Sequence, residues 1–205
     1  MKILITAGPT REKIDPVRYI SNNSSGRMGY AIAQAALSLG HEVTLISGPV
    51  AITPPEKVNL IKIVSAAEMA QAVHENSPSA DMVIMCAAVA DYRPAHPWDS
   101  KVKKMPGKLV LELERTEDIL GSLGQNKRPG QVLVGFAAET DDLESNALGK
   151  LERKNLDWIA ANLVSDGFGT DTNRITLYSR DGRKYPLTPG DKLSVAQAML
   201  KVILS

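Results

Sequence analysis

Polar side chains and glycines crowd the segment 21–29, SNNSSGRMG, just before a run of apolar residues at helical spacing. Hydroxyls, amides and a guanidinium donate hydrogen bonds to phosphate oxygens, and the N-terminus of a helix adds free backbone N–H groups. This chemistry predicts a phosphate-binding site, although an ordinary capped loop uses the same residue types. The residues that we expect to form the site are Gly8, Ser24, Ser25, Gly26 and Arg27.

The elements around this segment predict a βαβ unit. Ile3–Thr6 has the composition of a strand, and Gly8 follows it as a breaker. Met28–Leu39 has the spacing of a helix, and Glu42–Ile46 predicts the next strand. In such a unit the ligand lies beyond the carboxyl end of the first strand, which favours a nucleotide-sized ligand.

The unit does not match the glycine-rich fingerprint of a dinucleotide site. Roughly a dozen residues separate Gly8 from the polar cluster, whereas the fingerprint needs its glycines in one tight turn. The second strand ends in Ser47-Gly48-Pro49 and so lacks the acid that binds the ribose of NAD. The P-loop motif is also absent from the sequence. These departures count against NAD as the ligand.

The rest of the chain alternates strand and helix patterns, and further strands are predicted at 58–64, 81–90, 132–137 and 158–161. A helix is predicted over 116–123, and Ser65 with Glu68 predicts a capping box at the start of another helix. Asp181-Gly182 predicts the turn of a C-terminal hairpin. We therefore expect an α/β fold, a modified Rossmann-like three-layer sandwich with a mostly parallel sheet and a C-terminal β-hairpin. The carboxyl ends of its parallel strands should bring together Thr6–Thr10, Cys86–Tyr92 and Phe136–Thr140.

Composition narrows the functional classes. The chain has 205 residues, a formal charge of +1 and one cysteine, which fits one domain over 1–205 and argues against a nucleic-acid partner. No apolar run approaches ~18 residues and no secretory pattern precedes the first strand, so we expect a cytoplasmic protein with no membrane partner. Residues 92–108 hold three prolines and five lysines or arginines, which predicts a loop or hairpin insertion that closes over the site. The scattered histidines predict no metal held by the protein.

Several motifs in order carry a resemblance to a known family. They are ITAGPTRE (5–12), DPVRYISN (15–22), SSGRMG (24–29), CAAVADYR (86–93), KVKK (101–104), GFAAET (135–140) and KLERKNLD (150–157). With them the chain resembles phosphopantothenoylcysteine synthetase, the ligase half of the bacterial bifunctional coenzyme A biosynthesis flavoprotein. The decarboxylase half, which carries the flavin, has no counterpart in these motifs, so the resemblance implies no FMN.

The resemblance implies a ligase that joins 4′-phosphopantothenate to L-cysteine. CTP would activate the carboxylate as an acyl-cytidylate with release of pyrophosphate, and the cysteine amine would then displace CMP. Mg²⁺ would be carried on the triphosphate. The resemblance also implies a homodimer, and the insertion at 92–108 is the candidate contact.

The resemblance assigns site residues by position. Asn22 corresponds to the asparagine that binds the activated intermediate, Arg18 to an arginine that places the acid substrate or gates the site, and Lys101 to a lysine that reaches the triphosphate. The remaining nucleotide contacts that it implies are Met85, Cys86, Ala87, Ala88, Asp91, Glu117, Asp118, Ile119, Leu120, Phe136, Lys150 and Lys154.

Some of these residues have ordinary structural alternatives. Asp91 would accept from the exocyclic amine of cytosine, but an unaided Asp at this position is typical of a turn. The apolar surroundings of Cys86 predict a structural thiol rather than a nucleophile. At Glu117 the sequence departs from the proline that is common in the family, so we expect a backbone contact there.

Three other functions share the first βαβ unit. An NAD(P)-binding oxidoreductase or epimerase is disfavoured by the missing ribose acid and the missing Tyr-x-x-x-Lys pair. A nucleotide-sensing module leaves Asn22 and Lys101 without a role. The same ligase using ATP is the third alternative, and Asp91 within CAAVADY favours CTP.

Overall fold

Apolar runs rich in β-branched residues form the strands of the structure, a computed structural model that describes residues 1–104, 106–167 and 170–205. In chain order the strands are β1 Lys2–Ala7, β2 Glu12–Lys13, β3 Tyr19–Ile20, β4 Glu42–Ser47, β5 Asn59–Lys62, β6 Met82–Met85, β7 Tyr92–Pro94, β8 Leu113–Arg115, β9 Val132–Glu139, β10 Trp158–Leu163, β11 Thr172–Asn173, β12 Thr176–Ser179, β13 Lys184–Pro186 and β14 Gly190–Asp191. The helices are α1 Arg27–Ser38, α2 Ala66–Asn76, α3 Ile119–Gln125, α4 Leu143–Arg153, α5 Val164–Gly167 and α6 Lys192–Ile203.

Across these residues, eight strands form one sheet in the order β13-β12-β10-β9-β6-β1-β4-β5. The six strands from β10 to β5 run parallel to one another, whereas the β10–β12 and β12–β13 pairs are antiparallel. Gly182 has a φ of 85° in the turn between β12 and β13, where glycine is favoured. The predicted mostly parallel sheet with a C-terminal hairpin is confirmed.

Helices cover both faces of the sheet. Side chains alternate along β1, so that Ile3 and Ile5 pack with α1 and α6 while Leu4 packs with α2, α3 and α4. Residues from Ile3 to Ala7 are therefore buried without interruption, as expected for a strand covered on two sides. The three layers of the predicted sandwich follow from this alternation.

A glycine allows the first helix to approach the first strand closely. A Cβ atom on Gly29 would lie 2.6 Å from the Cβ of Ala7 and 3.0 Å from the carbonyl oxygen of Thr6. No other residue type fits this contact without a shift of backbone or core. The approach fixes the start of α1 beside the carboxyl end of β1.

Most elements differ from their predicted bounds by one or two residues, and two begin or end three or more residues away. The apolar run 81–90 predicts one strand, but β6 ends at Met85 because Thr6 binds the next two N–H groups away from the ladder. The helix expected from Thr116 begins at Ile119, where Asp118 accepts a hydrogen bond from the N–H of Gly121. The predicted pairing of Ser65 with Glu68 at the start of α2 is confirmed, with the Glu68 N–H 3.2 Å from the hydroxyl.

The segment predicted as an insertion begins at β7, which pairs antiparallel with β8 in a separate two-stranded sheet. Its middle is attached to the preceding β2–β3 region, because the Trp98 N–H donates to the Ile14 carbonyl at 2.9 Å. Met105, within the predicted range 92–108, lies outside the described residues. In the part of the chain that the structure describes, no helix combines the length and the apolar character needed to cross a membrane.

Candidate functional site

The loop that follows β6 forms the wall of the site, and Thr6 holds it in place. The buried hydroxyl of Thr6 accepts from the N–H groups of Cys86 and Ala87, each at 3.1 Å, and donates to the Met85 sulfur at 3.8 Å. The Ala88 N–H donates to the Gly8 carbonyl at 2.9 Å. The ends of β1 and β6 are thus joined, as expected for neighbouring parallel strands.

The larger cavity at this edge has a volume of about 450 Å³. Besides Lys101, the resemblance implies twelve nucleotide contacts, and ten of these residues line this cavity. They are Met85, Ala87, Asp91, Glu117, Asp118, Ile119, Leu120, Phe136, Lys150 and Lys154. The lining that sequence reasoning did not single out includes Val89, Ala90, Tyr92, Arg115 and Thr116. Val89, Ala90 and Tyr92 fall within the predicted strand end 86–92, whereas Arg115 and Thr116 lie outside every predicted strand end and directly precede Glu117.

Two lysines from α4 and its C-terminus bring positive charge to the larger cavity. Lys150 Nζ donates to the Phe136 carbonyl at 2.7 Å, and Lys154 Nζ lies 2.6 Å from Asp118 Oδ1. Burial, together with the neighbouring Lys154 ammonium, lowers the pKa of Lys150. Burial is the largest single influence on Asp118 and opposes its ionisation. The hydrogen bonds from Lys154 and the Gly121 N–H, with the charges of Lys154 and Lys150, together outweigh burial and lower the pKa of that carboxyl. Lys150 is therefore the cation whose charge an anionic ligand would compensate.

A smaller cavity of about 280 Å³ adjoins the first. It holds the predicted phosphate-binding residues Ser24, Ser25, Gly26 and Arg27, together with Cys86 and Ala88. The two cavities share part of their lining, namely Ala87, Val89, Asp91, Phe136 and Lys150. A ligand pair bound in the two cavities would therefore meet beside Lys150 and Asp91.

The polar segment presents the start of α1 to the smaller cavity. Gly26 is the N-cap residue with a φ of 77°, and no side chain caps the helix. The first N–H groups of α1 are thus available to an anion. Gly8 supports this arrangement from behind, because a Cβ on Gly26 would lie 3.2 Å from the Gly8 Cα. Arg27 forms an ion pair with the exposed Asp171.

The smaller cavity also contains residues that sequence reasoning missed, including Asn162, Asn173 and Lys192. Asn162 lies near the carboxyl end of the parallel strand β10, so the rule that identified the other strand ends would have found it. Lys192 begins α6, far along the chain, and its spacing alone is typical of a solvent-exposed helix start.

Cys86 follows the end of β6 and is half-buried in the wall of the smaller cavity. Burial raises the pKa of its thiol to about 12, against the smaller opposing effect of Lys192. The thiol is therefore protonated at neutral pH, which fits the predicted structural role rather than that of a nucleophile.

Asn22 lies at the rim and connects two predicted segments. Its amide nitrogen donates to the Ala88 carbonyl at 2.7 Å, and its Oδ1 accepts from the Ser24 N–H at 3.0 Å. The side chain is exposed. Asn22 thus ties the polar segment to the wall of the cavities and can present its amide to a ligand there.

Arg18 and Lys101 lie together in a third cavity, of about 820 Å³, which shares no described lining residue with the other two. Arg18 binds the buried carboxylate of Asp15 through Nε at 3.0 Å and the Val102 carbonyl at 2.9 Å. The Val102 N–H donates to Asp15 at 3.1 Å. The Arg18 guanidinium holds the pKa of Asp15 well below its usual range, against the opposing effect of burial. Arg18 therefore anchors the insertion that carries Lys101.

The described residues contain no cluster of three or more His, Cys, Asp or Glu side chains placed to hold a metal ion. The fold and the paired cavities define a Rossmann-like α/β protein with a positively charged ligand-binding site at the carboxyl edge of its parallel sheet.

The family model described as the DNA/pantothenate metabolism flavoprotein C-terminal domain matches residues 1–205, and the chain belongs to this family. The coenzyme A biosynthesis bifunctional protein CoaBC of Bacillus subtilis is 50% identical over 205 residues, which cover 98% of the chain and 50% of that protein. The chain thus spans about half the length of this relative. The resemblance drawn from the motifs is confirmed at the level of the family.

Solved structures agree with this assignment. The C-terminal domain of a coenzyme A biosynthesis bifunctional protein CoaBC superposes with a TM-score of 0.85 at 48% identity, covering 98% of the chain and 93% of that structure. The DNA/pantothenate metabolism flavoprotein from Streptococcus pneumoniae has a TM-score of 0.84 at 26% identity, covering 100% and 98%. The fold is therefore that of the family.

Proposed function

We propose that residues 1–205 form a nucleotide-binding ligase domain that joins 4′-phosphopantothenate to L-cysteine in coenzyme A biosynthesis. The observation that carries the proposal is the pair of adjoining cavities that share Lys150 and Asp91, in a member of this family. A ligase of this kind must hold two anionic substrates with their reacting ends in contact. The relative that is named for coenzyme A biosynthesis and matches along 98% of the chain supports the choice of substrates.

CTP is the nucleotide that we assign to the larger cavity. The backbone of Met85 and Ala87, which line this cavity, would face the cytosine, and the exposed Asp91 carboxylate would accept from its exocyclic amine. The keto group that uracil carries at this position cannot donate such a bond. Phe136 would pack against the nucleoside, and Lys150 and Lys154 would meet the phosphates.

The chemistry then has two steps. A carboxylate oxygen of phosphopantothenate forms a bond to the α-phosphorus of CTP while the bond to the β-phosphate oxygen breaks, and pyrophosphate leaves. The cysteine amine next attacks the acyl carbon, CMP leaves, and the amine proton passes to solvent. Both partners in the first step are anions, so their repulsion is the main obstacle to approach. The half-buried Lys150 ammonium, at the shared wall, would offset it.

Mg²⁺ enters this reaction with the triphosphate, because phosphate oxygens and water are the ligands that it prefers. Bound there, it would neutralise charge on the leaving pyrophosphate. The residues of this chain that would act on the same oxygens are Lys150 and Lys154.

Asn22 and the anchored insertion complete the proposal. Asn22 would turn its amide to the acyl-cytidylate, from its position between Ala88 and Ser24. Arg18 and Lys101, in the third cavity, would serve a site that closes on assembly of a homodimer. Exposed apolar side chains that directly follow the insertion, at Leu109, Val110 and Leu113, support a contact there. The proposed substrates are soluble, which supports a cytoplasmic location for the domain.

The experiment that tests the proposal is pyrophosphate release by the purified chain. The reaction contains Mg²⁺ and 4′-phosphopantothenate with either CTP or ATP, each with and without cysteine. We expect release with CTP and a product whose mass equals the cysteine adduct. Release with ATP alone would keep the ligase and overturn the choice of CTP.

If no pyrophosphate were released with either nucleotide, the proposed ligase function would be overturned. In that case binding of NAD(P)H, measured by fluorescence, would test the oxidoreductase alternative. Sedimentation equilibrium would test the homodimer, and a monomer at assay concentrations would count against it.

A further inference from the structure

Lys192 is a buried lysine in the smaller cavity, and the proposed reaction as described above gives it no role. It is the first residue of α6 and is only 7% exposed. Its ammonium donates to the Gly167 carbonyl at 2.9 Å and the Thr172 carbonyl at 3.2 Å. Lysines are almost never buried to this extent unless a charged partner compensates them.

Within the residues that the structure describes, no carboxylate forms a hydrogen bond or an ion pair with the Lys192 ammonium. The neighbouring Asp191 caps α6 instead, accepting from the N–H groups of Leu193 and Ser194 at 3.0 Å each. Asp171 is paired with Arg27. An ammonium has three N–H donors, and two of them are used by carbonyls. A positive charge with one remaining donor therefore stands at the cavity wall.

The other groups around the smaller cavity are also suited to an anion. Ser24, Ser25 and Arg27 line the same space, and the uncapped N-terminus of α1 opens into it. The nearby Cys86 thiol is protonated at neutral pH and supplies no negative charge. Burial lowers the pKa of Lys192 against the smaller opposing effect of Asp171, as expected for an ammonium that no carboxylate contacts.

We propose that Lys192 binds a phosphate group of the substrate held in the smaller cavity, together with Arg27 and the start of α1. The inference rests on the proposed ligase function and extends it to a residue that the family resemblance did not supply. The 4′-phosphate of phosphopantothenate is the favoured source, because the nucleotide is assigned to the larger cavity. The terminal phosphates of the triphosphate have the same chemistry and are tested separately.

The test measures equilibrium binding by calorimetry with four ligands: 4′-phosphopantothenate, pantothenate, CTP and cytidine. The variant is Lys192→Gln, which removes the charge but keeps donors for the two carbonyls. The matched control is Lys201→Gln, which makes the same change at an exposed position of the same helix. Lys192→Met is a second variant, and thermal denaturation checks the fold of each.

We expect Lys192→Gln to weaken the binding of 4′-phosphopantothenate by roughly 10- to 100-fold, the usual effect of losing a charge-assisted hydrogen bond. Pantothenate binding and the Lys201→Gln control should stay at the wild-type level. If the variant weakened the binding of CTP alone and left cytidine unaffected, phosphate binding by Lys192 would still be supported. Its partner would then be the triphosphate of CTP.

Other results would overturn the inference. Equal loss of phosphorylated and unphosphorylated ligands would mean that Lys192 only shapes the cavity. Unchanged affinities, or failure of both variants to fold, would mean that the lysine serves the fold alone. Because these are binding measurements, they are distinguishable from a failure of the ligase proposal, which appears as absence of pyrophosphate release by the wild-type chain.

Discussion

Replacing Thr6 by valine tests whether one buried hydroxyl holds the wall of both cavities. Valine keeps the shape of threonine but cannot accept the N–H groups of Cys86 and Ala87, which lie 3.1 Å from the hydroxyl. A buried donor left without a partner costs about 1–3 kcal/mol. Cys86 and Ala87 are half-buried, so water can reach part of the loop and the cost falls toward the lower end of that range.

For two such donors we expect Thr6→Val to lower the free energy of unfolding by about 2–4 kcal/mol. In a domain of this size each kcal/mol lowers the midpoint of thermal unfolding by roughly 2–4 °C. The assay is urea denaturation followed by circular dichroism, with nucleotide binding measured on the same samples. Binding should weaken as well, because residues 85–91 line both cavities.

The matched control is Thr6→Ser, which keeps the hydroxyl and loses only a buried methyl group, at about 1 kcal/mol. The reasoning predicts that serine is the milder change for stability and leaves nucleotide binding close to wild type. It would be refuted if valine stayed within about 0.5 kcal/mol of wild type, or if serine destabilised the protein as much as valine.

Three further predictions follow from individual contacts. Lys150→Met should lower kcat/KM for the ligase about 10- to 100-fold while the protein stays folded, as judged by pyrophosphate release and circular dichroism; unchanged kinetics would remove it from the site. Gly29→Ala should destabilise the fold by about 1–3 kcal/mol in urea, because the new Cβ meets Ala7, whereas Gly149→Ala in α4 meets only a flexible arginine and should be neutral or stabilising. Asp15→Asn should be less stable than wild type at pH 7, and because the pKa of Asp15 is lowered by folding, the difference should shrink as the pH falls below 3.8, the usual value; a difference independent of pH would contradict the ion pair.

The sequence by itself determined the local elements and the chemistry of the first loop. Hydrophobic periodicity predicted the strands of the eight-stranded sheet and most of the helices, and Asp181-Gly182 predicted the hairpin turn, because these depend on contacts between near neighbours in the chain. The short β2–β3 and β11–β14 pairs and α5 were not predicted. Phosphate-binding residue types before a helix predicted where an anion would bind. The motifs gave the family, which the match over residues 1–205 confirms.

Local sequence pattern did not predict where β6 ends or where α3 begins. An apolar run can continue as a strand or leave the sheet, and at Cys86 the choice depends on a hydroxyl 80 residues earlier in the chain. The start of α3 likewise moved to Ile119, because the Asp118 side chain caps the helix. Such hydrogen bonds compete with regular structure and are invisible to periodicity.

Only the tertiary structure decided which charged residues share a cavity. Arg18 and Lys101 turned out to lie in a cavity of their own, joined through Asp15 and Val102. Lys192, which opens the last helix, is buried beside the polar segment of the first helix. The physical reason is that α1 and α6 pack on one face of the sheet, so that residues distant in the chain share one desolvated space. Burial and the loss of a counter-charge depend on that packing, and no spacing in the sequence encodes them.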